Sequence, residues 1–103
     1  MTTATENQRI AQTIIAQLGG NMFAVMTGSK MFISIDNGVQ FNIGRNSLKC
    51  NKITITLNGN DYYDVTYWSI RGVSIKIKRE VTDIFAGTLR QEIEEATGLY
   101  TSL

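Results

Sequence analysis

A chain of 103 residues with a formal net charge of +1 and 43% hydrophobic content has the make-up of one folded domain, too short for two cores and too apolar for global disorder. It contains no histidine and one cysteine, which removes the common histidine-based triads, acid–base pairs and tetrahedral zinc sets, so neither catalysis, a metal nor a cofactor is expected. No apolar run approaches the roughly 20 residues that span a bilayer, the first residues do not read as a secretory signal, and lone Cys50 suits a reducing compartment, so a cytoplasmic location without membrane contact is expected.

Residues 5–18 read as a helix. Ile10, Ile14 and Leu18 recur every four positions, Ala11 and Ile15 widen the stripe, and Glu6, Asn7, Gln8, Arg9, Gln12 and Gln17 occupy the wetter side. Gly19 and Gly20 supply the left-handed backbone that commonly ends a helix. The next stretch, GGNMFAVMTGSK, raises the question of a phosphate loop. Gly20 and Gly28 are too far apart for one, Lys30 does not directly follow Gly28, and a helix precedes where a strand is needed. The stretch reads as a junction between helix and sheet, with Met22 to Met26 compatible with either a strand or further helix.

Period-two alternation then takes over. Met31, Ile33 and Ile35 face one way, answered by Val39, Phe41 and Ile43 across the hairpin turn Asp36-Asn37-Gly38. Ile53, Ile55 and Leu57 point inward on the following strand, with Lys52, Thr54 and Thr56 outward. Asn58-Gly59-Asn60-Asp61 is a turn, residues 62–70 form a longer strand, and Arg71-Gly72 is a tight corner. Val73, Ile75 and Ile77 mark one face of a last strand. Phe85, Leu89 and Ile93 form the stripe of a second helix over about 82–97, capped by Thr82 or Asp83 and stopped at Gly98. The expected fold is a single α+β domain over 1–103: N-terminal helix, antiparallel meander of four to five strands, C-terminal helix, with both helices on one face in a two-layer sandwich.

The open face of that sheet is the one candidate site. Burying Val73, Ile75 and Ile77 with Ile53, Ile55 and Leu57 leaves Lys52, Thr54, Thr56, Ser74, Lys76 and Lys78 outside. The pattern leaves open which face of 62–70 is buried. The more compact choice buries Tyr63, Val65 and Tyr67 and places Trp68 among the threonines and lysines, with Gln40 and Asn42 beside it. Arg71 at the corner can grip an anion or form a surface salt bridge. From Lys30 to Arg79 there are eight basic residues (Lys30, Arg45, Lys49, Lys52, Arg71, Lys76, Lys78, Arg79) against Asp36, Asp61 and Asp64, while the flanking segments are acidic. Lys52, Thr54, Trp68, Arg71, Lys76 and Lys78 are therefore the candidate binding residues. Single-stranded nucleic acid is the most specific partner, because lysines meet phosphates and rings stack on bases. The alternatives are a host protein or a second copy of the chain docking on the same face. An ordinary solvated sheet face also alternates lysine and threonine.

The segments QLGGNMFAVMTG, ITLNGNDYYDVTYWSIRG and IFAGTLRQEIEEATGLYTSL resemble a group of small bacteriophage and mobile-element proteins that has no established activity. That resemblance spans most of the chain, rests on glycines, core apolars and turn formers, and implies a setting inside an infected host cell. It brings no functional residue with it.

Overall fold

The computed structural model describes residues 3–101 and has the expected order of helix, antiparallel meander and helix. Helix α1 spans Ala4–Leu18 and a short α2 spans Asn21–Thr27. Strands β1 (Lys30–Ile35), β2 (Gly38–Asn42), β3 (Lys52–Leu57), β4 (Tyr63–Arg71) and β5 (Ser74–Ile84) follow, and a 3-10 turn at Ala86–Thr88 leads into α3 (Leu89–Thr97). The sheet order is the chain order, β1-β2-β3-β4-β5, and every pair is antiparallel.

Local chemistry sets the helix ends. The Thr3 side chain accepts from the Glu6 N–H at 3.1 Å to cap α1, and Gly19 ends it at φ +116° with its N–H shared between the Ile15 and Ala16 carbonyls. Met22 to Met26 is helical. Phe23 and Thr27 lie one turn apart on the buried side of α2, and the Thr27 hydroxyl donates to the Phe23 carbonyl at 2.7 Å. Thr27 and Ser29 share a 2.6 Å hydrogen bond inside the protein, so the hydroxyls of this junction are turned inward.

The core lies between the helices and one face of the sheet. Val39, Phe41, Ile53, Ile55, Val65 and Tyr67 are fully buried and meet Ile14, Leu18, Phe23, Leu89 and Ile93. Each such side chain contributes roughly 1.5–3 kcal/mol by leaving water. Phe41 stacks on Phe32 at 4.9 Å between centroids and meets the edge of Phe23 at 5.7 Å. Two buried rings keep their hydroxyls satisfied: Tyr63 donates to Gln17 Oε1 and Tyr67 to Glu92 Oε2, each at 2.7 Å.

Three expectations are corrected, all at the margins of the sheet. In the first hairpin, Ile35 lies opposite Gly38 and Ile33 opposite Gln40, so Met31, Ile33 and Ile35 do not answer Val39 and Phe41. The turn is two residues long, Asp36-Asn37, and that one-residue change moves the isoleucines to the open face. Phe32, two positions from Ser34, lies on the core side, and an irregularity between Lys30 and Ile33, with Met31 at φ +59°, brings Lys30 opposite Asn42 on the open face.

In the second case, Val73 is a fully exposed turn residue, and Ile75 and Ile77 lie opposite Ile70 and Trp68 on the open face. Lys76 lies opposite Ser69, on the helix side. A bulge then places Arg79 opposite Tyr67 and leaves Lys78 unmatched, which reverses the phase of β5 and carries Val81 inward opposite Val65. In the third case, residues 82–84 continue β5. Ile84 pairs with Tyr63 and is buried, the Asp83 N–H donates to Asp64 Oδ1 at 3.1 Å, and neither Thr82 nor Asp83 caps a helix. The buried stripe of α3 is Leu89, Ile93 and Thr97, while Phe85 is exposed and meets Tyr62 edge-on.

Candidate functional site

The antiparallel register orders the open face into rows. Lys30, Asn42, Lys52, Trp68 and Ile77 are successive partners across all five strands. The next row is Ile33, Gln40, Thr54, Thr66 and Glu80, and the one after it is Ile35, Gly38, Thr56 and Asp64. Partners directly opposite one another project to the same side, so charge on this face grades from cationic and aromatic to acidic along the strands.

The same polarity holds for the connections. The 43–51 segment between β2 and β3 carries Arg45 and Lys49, and the β4–β5 hairpin carries Arg71 and Lys76, all beyond the Lys52–Trp68 row. Asp36, Asp61, Asp64 and Asp83 belong to the opposite end. Lys30, Arg45, Lys49, Lys52, Arg71, Lys76 and Lys78 thus gather at one end of the sheet, where neither strand nor connection carries a carboxylate. Among the described residues the one ion pair lies elsewhere, between Arg79 on β5 and Glu92 on α3 at 3.0 Å.

Two surfaces meet at this end. On the open face, Trp68 is half-buried and its indole N–H donates to Thr54 Oγ1 at 3.0 Å, so the ring leans across β3 with Lys52 at its side. A groove of about 330 Å³ beside it is lined by Asn42, Asn51, Lys52 and Ile70. Around the rim, on the helix side, a cleft of about 480 Å³ is lined by Arg45, Lys49, Arg71, Asn46, Cys50 and Asn51, among others.

Asparagines hold the walls. Asn46 Nδ2 donates to the carbonyls of Gly44 and Cys50 at 2.9 and 2.8 Å. Asn51 pairs with the backbone of Ile70, its Nδ2 donating to the carbonyl and its Oδ1 accepting from the N–H, extending the sheet by side chain where β3 has ended. Ser47 ties the connection to the last turn of α3 through the Thr97 carbonyl at 2.8 Å. Cys50 is buried beneath the cleft. Burial pushes its thiol pKa up, outweighing the lowering by its bond to Asn46, its backbone hydrogen bond and the nearby Lys78 ammonium.

Of the six residues expected to share a surface, Lys52, Thr54 and Trp68 do so. Arg71 lines the cleft around the rim, Lys76 projects to the helix side, and Lys78 sits in the bulge above Cys50. They share one end of the molecule and not one face. Lys30, Arg45 and Lys49 complete the cationic end, and Ile70, Ile75 and Ile77 add apolar surface beside Trp68. Their signal was available: in a meander, the starts of β1, β3 and β5 and the ends of β2 and β4 must converge, whatever their faces.

Comparison with known proteins yields no match to a family model, to a curated sequence or to a solved structure. No helix among the described residues is long and apolar enough to cross a membrane.

Proposed function

We propose that this protein is a small non-enzymatic binding module whose cationic sheet end takes single-stranded nucleic acid. The observation that carries the reading is the gathering of seven cations, none in an ion pair among the described residues, at the end where Trp68 stands between Lys52 and Ile77. Lysines and arginines at such a surface neutralise backbone phosphates, and a neighbouring ring offers a base a stacking platform. Gln40, Thr54 and Thr66 behind Trp68 add uncharged hydrogen-bonding groups, and Glu80 closes that row. The acidic row beyond it repels a polyanion and limits the footprint to one end.

The test uses the protein's single tryptophan. Labelled single-stranded and duplex oligonucleotides are titrated at roughly 50 and 200 mM salt, with anisotropy and tryptophan emission read together. Single-strand binding that quenches Trp68, weakens steeply with salt and falls at least about tenfold in Lys30→Gln/Lys52→Gln is the expected result. Binding with no tryptophan response, or none at low salt, sinks the reading.

A second reading has its own observation. Val73, Ile75 and Ile77 are exposed beside half-buried Ile70 and Trp68, an apolar group larger than scattered surface residues. It suits a protein contact, either a second copy or a host protein. Light scattering on the same samples separates this reading from the first, because an apolar contact is little changed by salt and yields to Ile75→Ser/Ile77→Ser.

A further inference from the structure

We infer that the cleft bounded by Arg45, Lys49 and Arg71 is a phosphate pocket, the place where a terminal phosphate or a pyrophosphate-like dianion is held. The inference rests on reading the cationic end as an anion-binding surface, and it names the group recognised and where.

Inventory of the polar groups in the walls carries the assignment. Asn46 spends both amide hydrogens on the Gly44 and Cys50 carbonyls, and its oxygen faces the Cys50 N–H and thiol at 3.4 and 3.5 Å. Asn51 is committed to Ile70 in both directions, at 2.7 and 3.0 Å. Cys50 is buried and held protonated by its surroundings. The charged groups free to meet a ligand are three cationic side chains, none with a hydrogen bond or ion pair among the described residues, with the second Nδ2 hydrogen of Asn51 beside them. Three cations with no carboxylate in the lining select an acceptor carrying more than one negative charge, and two guanidinium forks suit the paired oxygens of a phosphate.

The arrangement is also built in place. Arg45 and Lys49 stand on a connection tied at Asn46 and, through Ser47, to the end of α3; Arg71 stands on a strand held by Asn51. The backbone is thus set before binding, and the ordering cost falls on the three exposed side chains alone. No carboxylate lines the cleft, so nothing there repels the anion or competes for the arginines. A volume of about 480 Å³ accommodates a nucleotide-sized ligand with its phosphate against the cations.

The test is calorimetric titration of the full chain with pyrophosphate and with a nucleoside 5′-monophosphate. In parallel, an oligonucleotide is compared with and without a 5′-phosphate. Arg45→Gln/Arg71→Gln alters the cleft, and Lys30→Gln/Lys52→Gln alters the open face by the same charge. The expected result is saturable pyrophosphate binding that weakens at least about tenfold in the cleft variant and less than about twofold in the open-face variant. Tighter binding of the 5′-phosphorylated strand, lost in the cleft variant, identifies the source as a strand end; a mononucleotide that binds as well as that strand identifies a free phosphorylated compound. Equal weakening in both variants, or no saturable heat with either small ligand, overturns the pocket. Strand binding that survives in the cleft variant without pyrophosphate binding leaves the nucleic-acid reading standing and removes this one. Pyrophosphate binding without any strand binding does the reverse.

Discussion

The two ends of the sheet carry opposite charge and treat it in opposite ways. At the acidic end two of the four aspartates, Asp64 and Asp83, are used internally. Asn58 Nδ2 donates to Asp64 at 2.9 Å and Asp83 at 2.7 Å, its oxygen accepts from the Asn60 and Tyr62 amides, and Asp64 also accepts from the Asp83 N–H. The β3–β4 turn and the last bulge of β5 are joined there into one network. At the cationic end the neutral side chains are spent on structure and the charges are left over. Charge that is consumed by the fold explains architecture, and charge that the fold leaves unpaired is capacity for a ligand.

The sharpest break in that contrast is Gly38→Ala at the acidic end. A Cβ there would lie 2.0 Å from the Ile55 carbonyl oxygen, a backbone atom that cannot move aside without opening the β2–β3 ladder. A loss of about 3 kcal/mol or more in denaturant unfolding is expected, with no soluble folded fraction as the extreme. Next is Asn58→Ala, which removes four hydrogen bonds at once. It should cost about 2 kcal/mol and leave pyrophosphate affinity unchanged. Reduced affinity would mean that the two ends are coupled.

Alkaline stability comes third. Burial raises the pKa of Tyr67, Tyr63 and Cys50, and for Tyr67 the carboxylate of Glu92 reinforces it. A raised folded-state pKa means that the protonated form is favoured by folding. The associated stability is full below the ordinary values of 9.0 for cysteine and 10.0 for tyrosine, and it is lost as pH climbs through and beyond them. Melting temperature should hold steady to about pH 8 and fall above it. Tyr67→Phe should flatten that fall while costing about 1 kcal/mol at neutral pH, because Glu92 keeps its bidentate bond to Arg79. A fall as steep as the wild type's would place the alkaline transition elsewhere.

The smallest effect belongs to the cationic end. Arg45→Gln and Lys49→Gln remove exposed, unbonded side chains and should move stability by no more than about 0.5 kcal/mol. A larger loss would make these residues part of the fold and erase the contrast between the ends.

Much of this was legible in residues 5–18, where helical spacing and two glycines define α1, and in 52–57, where strict alternation defines the inward face of β3. Alternation over 62–70 marks two faces, and packing against the helices selects Tyr63, Val65 and Tyr67 as the buried one. The central strands are flanked on both sides, so one register slip would unpair two ladders and expose Ile53, Ile55, Val65 and Tyr67 together. Alternation is therefore a faithful guide there. Edge strands β1 and β5 have a neighbour on one side only and absorb extra residues as bulges at Met31, Lys78 and Asp83. Each bulge reverses the in–out phase, which composition and period do not record. The outward turn of Ile33, Ile75 and Ile77 follows from the two-residue hairpin turns beside them, and the inward turn of Arg79 and Val81 from the reversal at Lys78.

The sequence by itself determined the α+β class, the meander, the inward face of β3 and the poverty of conventional catalytic residues. Local propensity and two-residue periodicity act through neighbours in the chain, and these features need nothing more. Only the tertiary structure decided which of the basic residues at that end share a face, and that Arg45, Lys49 and Arg71 surround one cleft. Those outcomes depend on turn lengths, on bulges and on contacts such as Asn51 with Ile70, 19 positions apart. They are set by which strands pair and how the pairing is offset, which are properties of the packed sheet.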